Sequence, residues 1–163
     1  MTAYDPSQWS DLFVATAGAS AALAGLLFVA VSVNVDRIVR FEGLPERALE
    51  AVILLIGVLL VSVVGLIPDQ GRIALGLELL ALGWVMGSSL YRLPTTSEMM
   101  EVVRGWLLMR WTMRICAVAP LILAGLTVLA EAGGGLYWVA VGIVFAIVAA
   151  VANAWVLLVE ILR

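Results

Sequence analysis

Five stretches of this chain each run for about 20 residues with almost no charge, the length a helix rising 1.5 Å per residue needs to cross about 30 Å of hydrocarbon. They fall at about 12–35, 48–67, 73–91, 106–130 and 136–162. Inside lipid each must be helical, because an isolated strand would leave its backbone polar groups unpaired. The rest of the chain gives little to build a soluble shell from: 64% of its residues are hydrophobic and only 13% are charged, against about 25% charged in ordinary soluble domains. The expected fold is all-α, an integral membrane bundle of about five transmembrane helices forming one domain over 1–163, with the lipid bilayer as its principal partner.

Turn chemistry marks the boundaries. Leu44-Pro45-Glu46 places proline and an acid at a helix start, Pro68-Asp69-Gln70-Gly71 is a tight turn, and Glu131-Ala132-Gly133-Gly134-Gly135 closes the fourth stretch. The fourth stretch has two readings. Arg110 and Arg114 interrupt its first half and Pro120 lies within it, so 98–113 either belongs to the span or lies on the membrane as an amphipathic helix, the span then starting near Ile115.

Arginines set the expected orientation, since basic residues stay on the cytoplasmic side of short loops. Arg37, Arg40 and Arg47 fill the first connection and Arg92, Arg104, Arg110 and Arg114 the third, while the N-terminal tail and the last turn have none and the second turn only Arg72. This pattern puts the N-terminus outside and Arg163 inside, which requires an odd number of spans. Trp9, Tyr137 and Trp138 then fall at the outer interface, and Tyr91, Trp106, Trp111 and Trp155 toward the inner one, where aromatic belts form; Trp84 stands apart. The first apolar run is far longer than a signal-peptide core, so it is expected to remain as a membrane helix. All nine basic residues are arginine, and Ala, Val, Leu and Gly dominate the apolar set. That usage points to a high-GC bacterium and hence to a bacterial plasma membrane.

Cys116 is the only cysteine and histidine is absent, which removes an intrachain disulfide, the usual zinc, copper and haem ligands, and the commonest general base. No phosphate loop, nucleophile elbow or His-Glu-x-x-His is present, and no basic face suits a nucleic acid. The expectation is a non-enzymatic protein with no cofactor, no metal and no nucleic-acid partner.

Four sets of residues carry the remaining signals. Gly18/Ala22 and Ala21/Gly25 are small-xxx-small pairs, which serve either packing within one subunit or an interface between copies of the first helix. Ser32 and Asn34, near Asp36, offer either a polar mouth or a plain helix end meeting water. Glu78 and Asn153 are polar groups within apolar stretches. Glu78 is a pathway or proton site, or else pairs locally; Asn153 is a bond between helices or part of a pore lining. Arg110 and Arg114, spaced i, i+4, share a helix face, and with Arg104 they are expected to meet anionic headgroups or a partner on the cytoplasmic side.

Three further stretches carry a resemblance: Trp9-Ser10-Asp11-Leu12-Phe13-Val14, Leu44-Pro45-Glu46-Arg47-Ala48-Leu49-Glu50, and Gly133-Gly134-Gly135-Leu136-Tyr137-Trp138 through Asn153-Ala154-Trp155. Together they resemble small multi-pass proteins of high-GC bacteria with no assigned function, some labelled modulators of the membrane-bound AAA protease FtsH. Ser20 through Val35 is also similar to the pore helix of Orai calcium channels. That family's filter glutamate, near Val33, is missing here, so calcium selectivity is not implied. Two functional expectations follow. The first is a homo-oligomeric channel or transport-type protein with the first helix near the symmetry axis. The second is a non-conducting regulatory or scaffold subunit that binds a larger membrane protein through its arginine-rich face.

Overall fold

The computed structural model describes residues 2–94 and 103–162, with backbone alone at residue 2, at 103–107 and at 160–162. Among these residues the chain is helical with no strand. After two 3-10 turns at Thr2–Tyr4 and Pro6–Trp9 come α1 (Ser10–Val33), the single turn α2 (Val35–Ile38), α3 (Leu44–Gly65), α4 (Arg72–Arg92), α5 (Val103–Ala130) and α6 (Tyr137–Leu162). Five of the helices are long and apolar enough to cross a membrane.

Neighbour relations define the bundle. α3 packs on α4, α4 on α5, α5 on α6 and α6 back on α3, closing an antiparallel four-helix ring in which α3 and α5 are diagonal; α1 lies outside the ring, against α3. The six-residue turns 66–71 and 131–136 reverse α4 on α3 and α6 on α5, and the Gly76–Gly125, Gly83–Ile122 and Gly87–Val118 approaches run α5 antiparallel to α4. The ends of α1, α4 and α6 and the starts of α3 and α5 therefore gather at one pole, the arginine-rich one, with the 66–71 and 131–136 turns at the other.

Helix limits differ from the expected ones for local reasons. α3 begins at Leu44 rather than 48, because Pro45 at the first turn needs no donor of its own and Glu46 faces the positive helix start. α5 runs unbroken from Val103 through Arg110, Arg114 and Pro120 to Ala130, with no break near Ile115 that would separate a surface helix from a span; residues 98–102 of that proposed surface helix lie outside the described residues. α1 stops at Val33 because Asn34 turns its Nδ2 back onto the Ala30 carbonyl at 2.9 Å, offering the chain an alternative to the next helical bond.

Phe13, Ser20 and Leu27 form the buried seam of α1, a seven-residue repeat that suits one helix laid along another. Thr16 and Ser62 stand 2.8 Å apart across this seam, while each also reaches a carbonyl of its own helix, Leu12 O at 2.8 Å and Val58 O at 2.8 Å. Each hydroxyl has one proton, so one of them forgoes its own helix to bond across. Ser62→Ala is expected to cost about 0.6 kcal/mol in bicelle unfolding, the average for such bonds between membrane helices; a loss several times larger would mean that the hydroxyl does more than bridge.

Close backbone approach occurs between α4 and α5. A Cβ on Gly125 would fall 2.8 Å from the Gly76 carbonyl, and one on Gly76 would fall 3.2 Å from the Gly125 carbonyl. Further along, Gly83 and Gly87 accept Ile122 and Val118. Without a solvent-driven hydrophobic effect in lipid, such contact area is a main source of association.

At the far pole the N-terminal turns cover the α5–α6 connection. Ala3 O accepts from Leu136 N at 2.8 Å, Trp138 Nε1 donates to Gly133 O at 2.8 Å, and Trp9 meets Tyr137 edge-on at 4.8 Å. Gly133, Gly134 and Gly135 all have positive φ, a conformation open to glycine at no steric cost. Gly135 also leaves the space that Ala3 O and the Tyr4 ring occupy. Asp5 caps the second 3-10 turn by accepting from Ser7 Oγ at 2.7 Å and Ser7 N at 3.0 Å, and these bonds hold its carboxyl below the usual aspartate range.

Candidate functional site

The charged centre of the bundle is Glu50. It is the seventh residue of α3, hence about 9 Å from that helix's start, and its side chain is 2% exposed. Two arginines from the diagonal helix converge on it. Arg114 engages it side-on, with Nε 3.0 Å from Oε1 and Nη2 2.8 Å from Oε2. Arg110 adds Nε at 2.7 Å and Nη2 at 2.6 Å, both to Oε2. The i, i+4 spacing puts both guanidinium groups on one face of α5, and only side chains of this length reach across the diagonal of a four-helix ring. Arg114 is buried, and the Trp111 ring lies 5.4 Å from its guanidinium carbon, a cation–π arrangement.

The expectation that Arg110 and Arg114 face headgroups is therefore corrected: both turn inward, because Glu50 offers a carboxylate inside a medium where an unpaired charge is costly. The side chain of Arg104 lies outside the described residues. Asn153 on α6 is buried beside this centre, where it shares a pocket of about 130 Å³ with Arg47, Glu50, Arg110, Met109 and Met113.

Other predicted residues fall elsewhere. Glu78 is only half-buried and accepts a hydrogen bond from Gln70 Nε2, near the pole opposite the triad; local pairing, rather than a buried acid on a pathway, is what the fold gives it. Ser32 is exposed and Asn34 is spent on Ala30, so the two do not assemble a polar mouth within the chain. Gly18, Ala21, Ala22 and Gly25 are all exposed, and nothing lies within 4 Å of a Cβ built on Gly18 or Gly25. The reading in which this run packs inside one subunit is corrected; that role belongs to Gly76 and Gly125.

Glu50 did not stand out in the sequence because it lies near the edge of its apolar stretch, within a start signal rich in polar residues. A usable clue was present all the same. One acid in the second stretch and two arginines in the fourth interrupt apolar runs that both begin at the same pole.

Between α4 and α5, beside the triad, a lateral groove of about 200 Å³ is lined by Gly87, Tyr91, Trp111, Arg114 and Val118. Tyr91 and Trp111 meet at its rim at 6.1 Å. A second groove, of about 320 Å³ and largely apolar in lining, runs between α1 and α6 over Leu55. No three His, Cys, Asp or Glu side chains among the described residues are placed to hold a metal ion. Comparison with family models, curated proteins and solved structures gives no match.

Proposed function

We propose that this chain is a non-enzymatic channel or transport-type protein of a bacterial plasma membrane, working as a homo-oligomer with its N-terminus outside. The observation that carries the reading is the small-residue face of α1. Gly18, Ala21, Ala22 and Gly25 point away from the chain's own bundle, although such faces exist to let another helix approach closely. α1 already lies outside the four-helix ring, so copies of it meeting about an axis leave the ring undisturbed. The arginine-rich pole, with Arg37, Arg40 and Arg92 exposed, is then the cytoplasmic one.

The test is assembly and conduction together. Gly18→Leu with Gly25→Leu adds side chains where the single chain has open space, so monomer unfolding is expected to stay within about 0.5 kcal/mol of wild type. Native mass spectrometry should show the wild-type oligomer falling to monomers, and liposome flux should fall with it. A wild-type monomer, or a variant that remains assembled and conducting, overturns the reading.

A second reading is a non-conducting scaffold subunit for a larger membrane protein such as a membrane-bound protease. The observation that favours it is the triad, a charged tie across the middle of the bundle that suits rigidity. It predicts no flux from the purified wild-type oligomer and capture of one large partner by the arginine-rich pole.

A further inference from the structure

We propose that the free end of the Arg114 guanidinium is a binding site for a phosphate oxyanion. Within ion-pair distance, two guanidinium groups share one carboxylate, leaving a local excess of one positive charge inside the spanning bundle. Such an excess is costly in that medium unless something neutralises it. Glu46, one turn before Glu50 on α3, makes no ion pair with either arginine among the described residues, and its Oε2 is itself buried without a hydrogen-bond partner.

Geometry then selects the ligand. Glu50 occupies the Nε and Nη2 edge of Arg114, and Nη1 is buried with no partner among the described residues. The unused Nη1 and Nη2 end is a planar pair of donors, which matches two oxygens of a phosphate better than a single spherical anion. Arg114 also lines the lateral α4–α5 groove, whose other walls are Gly87, Val118 and the Tyr91–Trp111 pair. A lipid phosphate would enter that way, with its acyl chain along the groove. Inorganic phosphate would reach Arg114 by the same groove, because the pocket beside Asn153 is lined by Glu50 and Arg110 and not by Arg114. Either source presents the same chemistry to Arg114, and the site does not depend on the chain conducting or on its assembly.

Trp111 lies against Arg114, so its emission reports the site; Trp111→Phe identifies which part of the signal is its own. Two probes are titrated into the detergent-solubilised full chain: inorganic phosphate, and vesicles containing phosphatidylglycerol against vesicles of phosphatidylcholine alone. The expected result is a saturable Trp111 change with one probe, weakened at least about tenfold in Arg114→Lys, which keeps the charge toward Glu50 but loses the planar fork. Which probe gives the saturable response identifies the source, and Gly87→Leu, which fills the groove that Arg114 lines, should abolish that response; a response that persists in this variant overturns the proposal. Glu46→Gln should strengthen binding. Should Arg114→Lys fail to fold, the wild-type titration still decides, because no saturable response to either probe overturns the proposal. So does a response unchanged in Arg114→Lys. So does a loss of binding in Glu46→Gln accompanied by a loss of stability, since Glu46 would then be the missing counter-charge.

Discussion

Glu50→Ala is expected to destabilise the folded bundle by about 3–5 kcal/mol, the cost of stranding buried charge when one partner of a buried pair is removed. Here the removal strands two guanidinium groups, Arg110 and Arg114, which meet no other carboxylate within ion-pair distance among the described residues. Denaturant unfolding in bicelles measures the loss. The companion variant separates charge from shape. Glu50→Leu combined with Arg110→Met and Arg114→Leu removes all three charges and replaces them with apolar side chains, so it is expected to recover most of the lost stability. A single Glu50→Ala variant within about 1 kcal/mol of wild type would show that the triad is not desolvated.

Gly125→Val is the second large effect. Its Cβ would fall 2.8 Å from the Gly76 carbonyl and 2.7 Å from Leu80 Cγ, and backbone cannot swing aside as a side-chain tip does. The α4–α5 pair must separate, at a cost of about 1–3 kcal/mol or more, read as a lower unfolding midpoint in the same bicelle assay. Gly18→Val is the matched control, because no atom of the chain lies near that Cβ. Equal losses for the two would mean that the cost is helix propensity alone.

These two positions show what the sequence made legible and what it did not. Number and extent of spans were readable because length and apolar content answer directly to bilayer thickness; all five long helices fall on the five stretches, with ends displaced by a few residues where Pro45 and Asn34 act locally. Partner choice was not readable in the same way. Gly18/Ala22 and Gly83/Gly87 are the same small-xxx-small pattern, yet the first faces outward and the second packs on α5. Spacing says that a helix can approach and leaves open which helix does. Glu78 and Glu50 make the same point for charge: each is the seventh residue of its helix, but Glu78 meets Gln70 from the adjacent turn while Glu50 meets two arginines sixty or more residues away. Depth is a property of one helix, whereas pairing belongs to the bundle. The i, i+4 spacing of Arg110 and Arg114 did locate a shared face correctly. Its direction depended on the diagonal placement of α3.

The bundle is proposed to cross five times with the Glu50 centre held between the helices, and side-specific thiol labelling tests the first four of these crossings most directly. With Cys116 changed to alanine, single cysteines at the exposed positions Gln8, Glu42, Asp69, Arg92 and Ala132 report successive ends of the helices, read with a membrane-impermeant maleimide on intact vesicles of uniform orientation. Labelling of Gln8→Cys, Asp69→Cys and Ala132→Cys from one face only, and of Glu42→Cys and Arg92→Cys from the other only, is the predicted result. Gln8 and Glu42 reacting from the same face, or Asp69 and Arg92 doing so, would contradict it, since α1 or α4 would then not cross.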